Sequence, residues 1–157
     1  EMDRRTLEIA YTVPGGAHRV WLGKLAAAFG LLVAAEILLV GVTSAFFAPV
    51  TLGALYGALQ EAVFYLVLSM GLAALTRSEI TGALAVAVVF SLNGFVTGFG
   101  GNQIRVSPTF NPLSMVGTSP EIVVAYTVQN RIGLALAIAA LTALAFARAE
   151  RREKLLS

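Results

Sequence analysis

A bilayer core about 30 Å thick takes about 20 apolar residues to cross as a helix, and four stretches of this chain meet that length. They run from about Leu25 to Phe47, from Val50 to Leu75, from Ile80 to Phe99, and from about residue 127 to Ala147. None alternates polar and apolar residues as a membrane β-strand does. All are rich in Ala, Leu, Val and Gly, so the expected fold is an all-α membrane protein, a polytopic bundle of four transmembrane helices. Composition agrees, since 57% of the 157 residues are hydrophobic and 13% charged. Soluble domains carry about 25% charge.

The fourth span is the least regular. Its uninterrupted apolar part, Ile132 to Ala147, covers only about 24 Å as a helix. The helix is therefore expected to start near residue 127 and to hold Gln129, Asn130 and Arg131 near the outer interface. Before it, residues 100–126 contain Pro108, Pro112 and Pro120. Proline interrupts continuous helix, so this stretch reads as an ordered surface or re-entrant piece.

Charge placement predicts orientation. With a cytoplasmic N-terminus, the inner side holds Arg4, Arg5, Arg19, Lys24, Arg77, Arg148, Arg151, Arg152 and Lys154, and the outer side only Arg105 and Arg131. That asymmetry is the positive-inside pattern, and it places both termini in the cytoplasm of a cell-membrane protein. It also reads the net charge of +2 as a topology signal rather than a nucleic-acid footprint. No secretory signal is visible, because the first apolar run is a full span.

Several chemistries lack their residues. There is no cysteine, one histidine (His18) and one aspartate (Asp3), so no metal set and no Ser–His–Asp set is expected. No G-x-x-x-x-G-K-[ST] loop occurs, so the chain carries no nucleotide cradle. No catalytic residue is assigned, and no enzyme activity or cofactor is expected within the chain.

Three polar or acidic positions lie inside spans: Glu36 in the first, Glu61 (beside Gln60) in the second, and Asn93 in the third. Ionisable groups at such depth cost about 2.5–3.5 kcal/mol each on insertion scales, so they face protein or water. One reading makes them line a translocation path or couple protons. The other has them neutral, or hydrogen-bonded to neighbouring helices and to Arg131. Gly53–Gly57 and Gly94–Gly98 are both GxxxG spacings, which suit close helix packing.

The segment 1–24 precedes the first span. Asp3 to Val13 reads as a short interfacial helix with Met2, Ile9 and Val13 able to share one face. Pro14-Gly15-Gly16 ends it, and His18, Arg19 and Trp21 follow at headgroup height. Glu1, Thr6-Leu7-Glu8, Pro14 and Gly23-Lys24, in that order, resemble the cytoplasmic loop between the second and third membrane helices of type-2 ABC transporter permeases. The tight basic turn Thr76–Glu79, the longer outer segment before the last helix and the charged tail 148–157 fit the same layout.

The resemblance implies a permease subunit of an ATP-driven exporter. Arg4, Thr6, Leu7, Glu8, Pro14 and His18 would then form a coupling helix that docks on a separate ATP-binding subunit. ATP and Mg would belong to that partner, and a second permease chain would complete the transporter, with membrane lipid around it. The family core has six membrane helices, so two would precede Glu1. The alternatives are a small proton-coupled secondary transporter using Glu36 or Glu61, and a non-transporting membrane assembly subunit.

Overall fold

A computed structural model describes residues 16–76, 78–99 and 106–153, with side chains described for 19, 21–76, 78–97 and 106–147. Arg4, Thr6, Leu7, Glu8 and Pro14 lie outside the described residues. His18 belongs to the first helix, of which only the backbone is described there. Among the described residues the chain is helical with no strand: α1 Gly16–Phe46, α2 Leu52–Thr76, α3 Glu79–Phe99, a 3-10 turn Pro112–Ser114 and α4 Pro120–Glu153. Four of these helices are long and apolar enough to cross a membrane.

Local chemistry sets most of the boundaries. α1 ends because Pro49 supplies no N–H and disfavours helix in the residue before it. The last amides of that turn, on Phe47 and Ala48, both donate to Thr43 O. Thr51 then caps α2, its Oγ1 accepting from Ala54 N at 3.2 Å. Ser78 repeats the device for α3, accepting from Thr81 N at 3.2 Å, and Glu79 puts a negative charge at the positive end of the helix dipole. Asn111 accepts from Leu113 N at 3.0 Å and opens the 3-10 turn.

Two helices begin earlier than the apolar runs alone predict. α1 starts at Gly16 and absorbs residues 16–24 into one rod with the first span. α4 starts at Pro120 rather than near residue 127. Pro120 occupies the first helical position, where its missing N–H costs nothing and its fixed φ suits the helix. It therefore launches the helix instead of breaking it. Glu121 adds a favourable first-turn acid.

α2 is the hub of the bundle. It packs against α1, α3 and α4, while α1 also touches α4. The buried residues of α2, Gly57, Gln60, Val67 and Ala74, recur at helical spacing along one seam. The rest of the core is thin: Phe110, Leu134 and Ala145 join Val67 and Ala74. Large apolar side chains such as Leu31, Phe46, Leu52 and Ile80 are largely exposed, an outward face suited to hydrocarbon. We call the end bearing residues 47–51 and 106–119 the crown, and the end bearing the 76–79 turn the base.

Candidate functional site

The polar residues inside the spans collect in one band, nearer the crown than the base. At 1.5 Å per residue, Glu36 lies about 15 Å below the crown end of α1, Glu61 about 14 Å below that of α2, and Asn93 about 9 Å below that of α3. Arg131 lies about 16 Å along α4 from Pro120. Its backbone is therefore about three turns into the helix rather than at its start. The early start of α4 carries it down to the level of Gln60. There Gln60 Nε2 donates to the Arg131 carbonyl at 2.8 Å, and Arg131 Nη1 reaches Gln60 Oε1 at 3.5 Å.

The guanidinium rests on Gly57, where any Cβ would occupy its space, and its central carbon sits 5.8 Å from the centre of the Tyr56 ring. Glu61, one turn below Gly57 on α2, is half-buried and within electrostatic range of Arg131. Residues i and i+4 share a helix face, which explains why Gly57 and Glu61 both address α4.

Asn93 organises the other half of the band. Its Nδ2 donates to Thr109 Oγ1 at 2.8 Å and to the Tyr65 hydroxyl at 3.4 Å. Ser107 Oγ donates to Asn93 Oδ1 at 3.1 Å and also lies 3.1 Å from Thr109 Oγ1. From α4, Asn130 Nδ2 donates to Ser107 O at 2.7 Å. Tyr65 is held between Phe64 and Phe90, each in edge-on contact. The segment 106–110 thus descends from the crown to the depth of Asn93 and Asn130. Val106 leans on Gly133, and Ser107 and Phe110 are buried.

Among the described residues, 106–119 are irregular apart from the 3-10 turn, and 120–126 belong to α4. Irregular backbone packed among apolar helices needs its polar groups satisfied by protein. The Asn130 bond to the Ser107 carbonyl does so here.

Glu36 joins the band from α1. Trp21, Leu25, Ala28, Leu32, Glu36, Val40 and Thr43 are the half-buried residues of one α1 face, the face turned to the bundle. Glu36 makes no hydrogen bond or ion pair with the described residues. Of the four glycines with GxxxG spacing, Gly57 serves a close approach, whereas Gly53 and Gly94 meet nothing within the chain. Gly98 is described by backbone only. The tight interhelical contact is instead at Gly82, against the Ala73 backbone.

Sequence reasoning brought out Glu36, Glu61 and Asn93 but not Tyr65, Ser107, Thr109 and Asn130 as partners. Hydroxyls and amides in an apolar chain give no spacing signal of their own. A groove of about 350 Å³ between α2 and α4 at the base is lined by Leu68, Leu72, Leu141 and other apolar residues, and offers no polar side chain to orient a ligand. No group of acidic or imidazole side chains able to hold a metal is present among the described residues. The band can therefore hold backbone in place and present one arginine and two carboxyl groups to a polar solute. Comparison with family models, curated proteins and solved structures gives no match.

Proposed function

We propose that this chain is the membrane-spanning part of a permease subunit of an ATP-driven exporter, as its resemblance to type-2 ABC permeases implies. The observation that carries the reading is that α1 continues from the end of the coupling segment to the crown as one helix and packs on the hub helix α2. α1 runs unbroken from Gly16, directly after Pro14-Gly15, through Gly23-Lys24 and on to the crown. Lys24 Nζ lies 2.7 Å from Glu79 Oε1 at the start of α3. A push on residues 1–15 passes along α1 to α2, against which it packs, and from α2 to α3. The exposed Lys24–Glu79 pair adds a weaker link at the base. Asn93 of α3 in turn holds the re-entrant segment.

In this reading both termini are cytoplasmic, the crown faces outward, and a partner subunit hydrolyses ATP. Closure of two such partners moves the coupling segments, α3 shifts, and the hold of Asn93 on Ser107 and Thr109 loosens to open the crown. Glu36, Glu61 and Asn93 line the path exposed.

The test is co-purification with the ATP-binding subunit. Arg4→Glu with Glu8→Arg is expected to abolish association and stimulated ATPase. Lys24→Glu is expected to leave association intact but lower the stimulated rate several-fold, and adding Glu79→Lys to restore it. Association unchanged by the Arg4 and Glu8 reversal overturns the docking assignment. Transport that follows a pH gradient without ATP, and is lost in Glu61→Gln, favours the proton-coupled alternative instead.

A further inference from the structure

Arg131 reaches from the polar band toward the crown. Its side chain leaves α4 toward that helix's N-terminus, as long helical side chains do. It ends against Gly57 and Tyr56 rather than at the level of its own carbonyl, which meets Gln60. Gly57 lies about 7 Å below the crown end of α2. α2, at about 37 Å, overruns a 30 Å hydrocarbon core by a few ångströms at each end. The guanidinium thus sits just under the headgroup layer, the position of an arginine that snorkels.

The site is open and short of acceptors. A guanidinium has five N–H donors, and among the described residues only Nη1 meets an acceptor, Gln60 Oε1, at the long distance of 3.5 Å. Glu61 balances the charge from the base side, beyond ion-pair distance. Beside the guanidinium, Tyr56 is 54% exposed, and its hydroxyl makes no hydrogen bond to the described residues. The absent side chain at Gly57 leaves the guanidinium room to rest against α2.

We propose that Arg131 and Tyr56 form a binding site for the phosphate of an anionic phospholipid in the crown-side leaflet. The forked N–H pairs of Arg131 suit two phosphate oxygens at once, and the Tyr56 hydroxyl donates to a third acceptor. The acyl chains then lie along the exposed apolar face of α2, where Leu52 is 84% exposed. The inference stands on the geometry of α2 and α4 and holds whether or not the chain couples to an ATPase.

The full chain is reconstituted into nanodiscs of phosphatidylcholine mixed with phosphatidylglycerol, then extracted, and retained lipid is counted by native mass spectrometry. Wild type is expected to retain phosphatidylglycerol in preference to phosphatidylcholine. Arg131→Gln is expected to weaken that retention about tenfold, and Tyr56→Phe, which keeps the ring under the guanidinium, about threefold. Arg131→Lys is expected to fall between wild type and Arg131→Gln, because charge remains and the fork is lost. Thermal unfolding in pure phosphatidylcholine shows that each variant counted is folded. Equal retention of the two lipids by wild type overturns the site, as does undiminished phosphatidylglycerol on both folded variants Arg131→Gln and Tyr56→Phe. Displacement of the lipid by inorganic phosphate alone assigns the groups to a free anion and overturns the lipid.

Discussion

At Gly82 a hydrogen atom stands where a methyl group would lie 2.7 Å from the Ala73 backbone nitrogen, and backbone on both sides of α2 and α3 leaves nothing flexible to yield. At Gly53 the same methyl group meets nothing within the chain. The two glycines therefore respond in opposite directions to one substitution. Gly82→Ala is expected to lower the unfolding free energy in detergent by about 1–3 kcal/mol, the usual penalty for overpacking. Gly53→Ala is expected to leave it unchanged or to raise it by up to about 1 kcal/mol through helix propensity. Comparing the two unfolding curves checks both. Spacing singled out Gly53, Gly57, Gly94 and Gly98 but missed Gly82 and Gly133. The need for a small residue comes from what lies opposite, Ala73 or Val106, and the partner is invisible in a local pattern. The level of Arg131 was hard to read for a related reason: it depends on where α4 begins, eleven residues upstream.

The segment 106–119 is the element whose hold on the bundle is most exposed to test. Asn93 from α3 and Asn130 from α4 grip it from two sides, through Thr109 and Ser107. Interhelical polar contacts in membranes contribute about 0.6 kcal/mol each on average and up to about 1.7. Asn93→Ala removes the links to Thr109 and Ser107 while leaving Asn130 in place. It is expected to raise amide hydrogen exchange across 106–118 about tenfold with little change in α2 or α4, read by mass spectrometry. Unchanged exchange there shows that Phe110 and Val106 packing alone holds the segment. The prolines told that this stretch is not continuous helix. They could not tell its depth, because that depends on hydrogen bonds to residues on two other helices. Pro120 had the opposite meaning from Pro108 and Pro112, and only its place at a helix start decides which.

The four spans and the all-helical bundle were legible because hydrophobic length is a property of the chain itself. Their spatial order, with α2 as hub and α1 against both α2 and α4, was not, since no local signal names a neighbour. Orientation is testable directly in a chain without cysteine. Val116, 91% exposed at the crown, and Thr76, exposed at the base, mark opposite ends. A membrane-impermeant maleimide on intact cells is expected to label Val116→Cys and to reach Thr76→Cys only after the membrane is opened. The reverse pattern inverts the topology.

In the membrane-spanning reading proposed above, the inward tuck of residues 106–110 also changes what the membrane is at this point. A bilayer insulates because its low-permittivity layer is about 30 Å thick. Where the re-entrant segment brings peptide and hydroxyl dipoles down to Asn93, about 21 Å of α3 remains to the base. The self-energy of a charge in such a slab falls as the slab thins, so the insulator here is locally about a third thinner. In that membrane-spanning reading, a field across the membrane drops over that shortened distance, and Glu36 and Glu61 lie at about the depth where the drop begins.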